Sequence, residues 1–287
     1  MGSIASVERC LDVLETLSGE ADGLSLGTIA ERLDLPKSAA HRLLTALLHR
    51  RFVTQDAAGE SYSLSFRLAQ LGFRRLDALR YPEVAQPVLD RLAADTGEHV
   101  RLAVVEGDSM TWVARAQGAS RGLRYDPEMG QSVVLHATAT GKAWLATLSL
   151  ERALEIVVAR GFDVPAHFTG RSVRTAAALR AQLGETRRRG YGLAIEEGEW
   201  GTAALAAVVR DGEAPDAPVV ATISVAGPVT RLAGAARQRA ADLMIAATGE
   251  MSALWPVRRR QRKSGANAPG ASTDLTPPRL RRTGTSR

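Results

Sequence analysis

The sequence predicts an α+β chain in two parts: a small helical N-terminal domain closed by a β-hairpin, and a larger mixed domain after it. Three observations carry this. Over residues 3–65, three stretches repeat apolar residues at three and four positions, and two short β-like runs follow. Beyond residue 80, strand-like and helix-like runs alternate without a strict parallel repeat. A length of 287 residues, 45% hydrophobic and 24% charged, is enough for two domains of ordinary size.

The first stretch, Val7 to Leu17, places Val7, Cys10, Leu11 and Leu14 on one helical face. After the breaker stretch Gly19 to Gly23, Ser25 is a plausible N-cap, because its hydroxyl can accept from the free amides of a helix start. Leu26, Ile29, Ala30 and Leu33 then mark a second helix. Asp34-Leu35-Pro36 ends it, since proline pushes the preceding residue out of the α region, and Pro36 suits the first turn of a third helix running to Arg50. Phe52-Val53-Thr54 and Tyr62-Ser63-Leu64, separated by Gly59 and polar residues, read as a two-stranded hairpin. Helix, helix, short turn, helix, hairpin is the order of a winged helix-turn-helix. Residues 65–79 read as a linker helix that Tyr81-Pro82 breaks, so residues 66–80 separate the first domain from a second spanning 81–254. In that second domain the periodicity predicts a helix over 83–96 and strands over 99–106 and 110–117. Helices over 138–159 and 173–189 follow, then strands over 191–196, 203–210 and 218–226, and a last helix over 230–253.

The net charge of +6 is unevenly placed. Residues 256–287 hold nine basic side chains and one acid, leaving −2 on residues 1–255. The segment 255–287 is rich in Pro, Gly, Ser and Thr and has little to bury, so it reads as a disordered basic tail that can add sequence-blind affinity for phosphate. It does not by itself establish DNA binding. The single cysteine, Cys10, rules out an internal disulfide and falls in an apolar series, which places the chain in a reducing, cytoplasmic compartment. No apolar run approaches the roughly 18 residues of a membrane span, and no membrane partner is expected.

The third helix carries the functional signal. With Ala40, Leu43, Leu44 and Leu47 facing the core, Ser38, Arg42, Thr45 and His49 lie opposite, flanked by Lys37 and His41. Residues 35–55 add Arg50 and Arg51 and contain no acid. A helix with basic and hydroxyl side chains can enter the major groove, some reaching base edges and others holding phosphates. A charged exposed face is also what any solvated helix shows; the turn and hairpin beside it favour DNA.

Evidence for an enzyme is thin. Gly141-Lys142-Ala143 lacks the upstream glycine and the Ser/Thr of a phosphate loop. Glu196, Glu197 and Glu199 lack a second acidic motif and read as a polar loop. The five histidines show no metal-ligand spacing, His136 reads as a structural hydrogen-bonder, and no Gly-x-Ser-x-Gly elbow exists. No cofactor, metal or catalytic residue is expected. An enzyme with an accessory helical N-terminus, and a protein-interaction module, remain the alternatives.

Several blocks resemble the IclR family of bacterial regulators. Ser25-Leu26-Gly27-Thr28-Ile29-Ala30 with Leu35-Pro36-Lys37-Ser38-Ala39-Ala40-His41-Arg42-Leu43-Leu44 is similar to that family's helix-turn-helix. Leu135-His136-Ala137-Thr138-Ala139-Thr140-Gly141-Lys142-Ala143, then Arg189-Gly190-Tyr191-Gly192 before Glu196-Glu197, then Ile223-Ser224-Val225-Ala226-Gly227-Pro228, resemble blocks of its second domain in the same order. The resemblance implies a GAF-like effector-binding domain, a homodimer or homotetramer dimerising through the linker helix, and a partly palindromic operator bound as repressor or activator. It assigns DNA contact to Ser25, Lys37, Ser38, Ala39, His41, Arg42, Thr45, His49, Arg50 and Arg51. Ala39 stands where the family usually has threonine, which removes one hydroxyl. Effector contact falls on Ala139, Thr140, Ala194, Ala204, Ser224 and Ala226. Where members that bind glyoxylate or pyruvate have polar side chains, this chain has Ala194, Ala204 and Ala226, with only Ser224 polar. The expected effector is therefore larger and more apolar than those acids, aromatic compounds included, unless the pocket has lost its ligand.

Overall fold

The computed structural model describes residues 4–79, 81–120, 124–125, 127 and 132–255. Of the predicted tail, 255–287, all but Trp255 lies outside them. The chain divides into two compact units, residues 1–82 and 83–287.

In the first unit, helix α1 (Ala5–Ser18), α2 (Leu26–Arg32) and α3 (Lys37–His49) surround a core of Val13, Leu17, Leu24, Ile29, Leu44, Leu47, Val53 and Tyr62. The wing is three-stranded. Besides β2 (Val53–Gln55) and β3 (Ser61–Leu64), the two residues Leu24–Ser25 form β1 and pair antiparallel with β3. Ser25 also caps α2, its Oγ accepting from the Thr28 amide at 3.1 Å; such a cap stabilises by about 1 kcal/mol. Pro36 sits at the N-cap of α3, one position earlier than expected, its φ of −56° already suited to the helix.

Both joints around α3 are made the same way. After α2, Asp34 takes a left-handed φ of 49°, which lets the Asp34 amide donate to Glu31 O (3.2 Å) and Leu35 to Ala30 O (2.8 Å). After α3, Arg51 has φ 59°, with Arg51 donating to Leu48 O and Phe52 to Leu47 O, both at 2.9 Å. Each is a Schellman stop, satisfying carbonyls the helix end would otherwise leave free.

Helix α4 (Arg67–Leu79) follows, and none of its described side chains is buried. Helix α5 (Tyr81–Thr96) begins two residues after it ends, with Pro82 in its first turn, where a missing amide costs nothing. Tyr81-Pro82 therefore starts a helix as well as marking a break.

The second unit is built on a five-stranded antiparallel sheet in the order β5-β4-β8-β7-β6: β4 (His99–Glu106), β5 (Ser109–Gln117), β6 (Gly192–Ile195), β7 (Thr202–Arg210) and β8 (Val219–Pro228). Both faces are covered. Ala204, Ala206 and Val208 of β7 pack toward α6 (Ala139–Leu145), while Leu205, Ala207 and Val209 are buried on the side left to α9 (Gly234–Leu254). The single helix expected over 138–159 is two, α6 and α7 (Leu150–Arg160), because the Ser149 hydroxyl caps a new helix start by accepting from Arg152. Helix α8 (Ala176–Arg189) ends on Gly190 at φ 83°, and Gly192 then opens β6. A Cβ on Gly192 would lie 2.1 Å from Ala139 O, so only glycine lets α6 sit this close to the sheet. Trp255, at the end of α9, is 7% exposed and belongs to this unit's core.

Candidate nucleic-acid interface and ligand cavity

On α3, packing separates two faces. Ala40, Leu44 and Leu47 are buried with Leu43 and Leu48 against them; Lys37, Ser38, His41, Arg42, Thr45 and His49 are exposed, as are Arg50 and Arg51 just beyond. Ala39 is half-buried, at the edge of that face. Two hydroxyls are already engaged: Thr45 donates to His41 O at 2.8 Å, and Ser25 shares a 2.9 Å contact with Thr28 besides its capping bond. Both keep oxygen lone pairs able to accept. The nearest acids in sequence, Asp34 and Asp56, flank this basic surface without interrupting it.

In the second unit a cavity of about 730 Å³ opens on the α6 side of the sheet, and its floor draws on all five strands: Trp112, Arg101, Ser224, Ala204 and Ala194. Ala139 and Thr140 at the start of α6 line it too, and Pro165, His167 and Phe168 contribute from the loop before α8. Ala226 does not. It lies in the next row of the sheet, in register with His99 and Ala204, and at 2% exposure it is sheet packing rather than wall. The periodicity of β8 puts Ser224 and Ala226 on one face, but only one of them reaches open space.

The residues with most chemistry here lie outside the predicted set. Arg101 of β4 is directly opposite Ser224 of β8, so both side chains leave the same face of the sheet. The Arg101 guanidinium stacks on the Trp112 ring, 3.8 Å from its centroid, with the Tyr125 phenol near enough to act on it electrostatically. Burial pushes its pKa down, with Tyr125 and Glu199 acting in the other direction; a guanidinium stays charged regardless. Among the described residues it has no ion-pair partner, and its Nε and the Ser224 Oγ are buried without a hydrogen bond.

Lys142 and Glu197 form a second missed feature. Lys142, with no exposed surface, donates to Glu197 Oε1 at 2.5 Å and to Leu193 O at 3.2 Å, tying α6 to the end of β6. Burial lowers the lysine pKa and raises that of Glu197, whose Oε2 lacks a partner. The carboxylate cluster thus divides into three roles: Glu197 inside, Glu196 paired with Arg171, and Glu199 exposed. His136 is buried edge-on to Phe162, at 5.3 Å between ring centroids, and burial pushes its pKa down. Among the described residues no group of three His, Cys, Asp or Glu is placed to hold a metal, and no helix is long and apolar enough to cross a membrane.

Comparison with known proteins places these features in one lineage. Residues 6–57 match the IclR helix-turn-helix domain, and residues 74–253 match the C-terminal domain of the bacterial transcriptional regulator IclR. The HTH-type transcriptional regulator BhcR of Paracoccus denitrificans is 34% identical over 260 residues, covering 88% of this chain and 87% of that protein. The transcriptional repressor IclR of Escherichia coli is 28% identical over 232 residues, 80% and 82% of the two chains. In fold, the chain is similar to an IclR homologue from Microbacterium hydrocarbonoxydans solved with 4-hydroxybenzoate: TM-score 0.69 and 23% identity, over 89% of this chain and 99% of that one. A helix-turn-helix with a basic outer face, followed in one chain by the matching C-terminal domain, makes this protein a member of the IclR family of DNA-binding transcriptional regulators.

Proposed function

We propose that this regulator binds a partly palindromic operator as a homodimer or homotetramer, and that a small molecule in the 730 Å³ cavity changes its affinity for that operator. The observation that carries the reading is the outer face of α3. Lys37, Ser38, His41, Arg42, Thr45 and His49 are exposed there together, with Arg50 and Arg51 beyond and no acid among residues 35–55. Side chains in the first half of the helix, Lys37 to Arg42, suit base edges; Thr45, His49, Arg50 and Arg51 suit phosphates, and the Ser25 hydroxyl suits another from the start of α2.

Assembly is supported by what remains uncovered. A 13-residue helix is marginal by itself in water, and α4 exposes Leu71 and Phe73, with Phe66 just before it; α1 exposes Val7 and Leu11. A second copy of the chain is the partner proposed for α4. A two-fold pair then presents two α3 helices to half-sites spaced by turns of the duplex. The effector reading rests on the walls. Ala194 and Ala204 offer no hydrogen bonds, so a small acid such as glyoxylate leaves much of the cavity unfilled, whereas a ligand with an apolar body fills it. In this reading the chain acts as a binding protein.

Footprinting on the intergenic DNA next to its own gene tests the proposal. Protection of two half-sites on one face of the duplex, altered by a neighbouring-pathway metabolite, is expected. Absence of any protected promoter, or coordinates of an assembly with the outer face of α3 covered by protein, overturns it.

A further inference from the structure

The second unit also holds a groove of about 420 Å³, at the end of the sheet where β4 and β7 finish and β5 and β8 begin. Its floor is carbon, from Val105, Trp144, Leu148, Ile156 and Val219. Two turns form its rim, residues 106–108 after β4 and residues 211–218 after β7, and the strand register puts both at one end of the sheet. Together they carry Glu106, Asp108, Asp211, Glu213 and Asp216 and no base. Arg152 holds Asp108 at 2.7 Å, while Glu106, Glu213 and Asp216 are exposed.

We propose that segment 256–263 of the same chain lies back on this groove, its arginine stems over the apolar floor and its charges on the two acidic turns. The first support is where α9 delivers the chain. Ser252, in its last turn, accepts from the Arg210 amide at 2.9 Å, and the Arg210 guanidinium donates to Ala217 O at 2.7 Å. Arg210 and Ala217 both line the groove, and Trp255 is buried, so the chain leaves from a fixed point beside the rim. Arg258 to Arg260, three to five residues further on, reach about 10–18 Å in extended chain, enough to cross the end of the sheet. The second support is charge. Segment 256–263 holds Arg258, Arg259, Arg260, Arg262 and Lys263 and no acid, against five acids and no base on the turns. The same rim repels phosphate, which excludes nucleic acid as the occupant. The third is shape: an arginine covers carbon with its stem while its head stays at a wet, charged edge. Each exposed ion pair is weak, but a short tether raises the effective concentration to the millimolar range. The later basic residues, Arg279, Arg281, Arg282 and Arg287, remain for phosphate.

Zero-length carbodiimide coupling of the full-length protein tests this, because the chain's lysines are Lys37, in the first unit, the fully buried Lys142, and Lys263. At low salt, mass spectrometry is expected to find amide links from Lys263 to acids of the two turns. A mixture of isotope-labelled and unlabelled protein separates links within a chain from links between copies. Links from Lys263 only to other acids, only between copies, or to no acid overturn the proposal. Trypsin supplies a second readout, cleavage within 258–263 measured against cleavage within 279–282 of the same tail. Glu106→Gln, Glu213→Gln and Asp216→Asn together, all at exposed positions, should raise that ratio about fivefold or more, since cleavage follows the undocked fraction. An unchanged ratio overturns the proposal. Neither readout involves DNA, so their failure leaves the operator reading standing, and failure to bind an operator leaves this proposal standing.

Discussion

Lys142→Met tests the buried pair that ties α6 to the sheet. Two unit charges 2.5 Å apart attract by about 7 kcal/mol at an effective dielectric of about 20, and desolvation of both groups offsets much of that. Methionine keeps the length of the lysine stem but leaves Glu197, 7% exposed, without its counter-charge. Breaking a buried pair from one side costs about 3–5 kcal/mol, and that is the expected loss at neutral pH. All four tryptophans (112, 144, 200 and 255) lie in the second unit, so urea unfolding followed by fluorescence reports this unit. The loss should depend on pH. Burial already raises the Glu197 pKa above 4.5 and Lys142 opposes that shift; without the lysine it rises further. An acid with a raised folded-state pKa holds more protons folded than unfolded, so stability falls as pH increases above about 4.5, and the variant should be least impaired in acid. Adding Glu197→Leu should recover most of the loss. A single variant losing under about 1 kcal/mol, or a double variant no better than the single, would refute the reasoning.

Three further outcomes follow from the first unit and the tail. Arg42→Ala should weaken binding to every DNA sequence alike if Arg42 grips phosphate, or relax one base pair by about 1–3 kcal/mol if it reads guanine; a binding series over operator variants separates these, and no change in either removes Arg42 from the interface. Asp34→Gly should stabilise the first unit by about 0.5–1 kcal/mol, because glycine adopts the φ of 49° without a side-chain clash; amide hydrogen exchange in α1–α3 measures it, and destabilisation would show that the aspartate side chain supports the turn. Deleting residues 257–287 should flatten the salt dependence of non-specific DNA binding and leave operator preference intact; collapse of preference would make the tail part of the reader.

Local chemistry was legible in the sequence, and long-range pairing was not. The cap at Ser25, the turn at Asp34-Leu35-Pro36 and the polar face of α3 each depend on neighbours within a few positions, and composition reveals them. Strand β1 is two residues long, too short for any periodicity. The Ser149 cap was masked because apolar spacing continues across it. The cavity was half legible. Ala139 and Thr140, expected from the helix start, and Ala194, Ala204 and Ser224, expected from the family resemblance, line it. Arg101 and Trp112 escaped because their meeting with Ser224 depends on which strands pair and in what register, and neither sits in a recognisable block. The Lys142–Glu197 contact spans 55 positions; a lysine inside an otherwise small and apolar helix start was the one available hint that a buried carboxylate must answer it.

The two left-handed residues that bracket α3 have a consequence for signalling. With Asp34 stopping the preceding helix and Arg51 stopping this one, the reading element is a stylus of set length, 13 residues or about 20 Å, that neither winds on another turn nor unravels at its tip. In the two-fold assembly proposed above, a message from the cavity would then tilt or re-space whole styli against the groove, so the alphabet each one reads would stay constant while the distance between the two words changed.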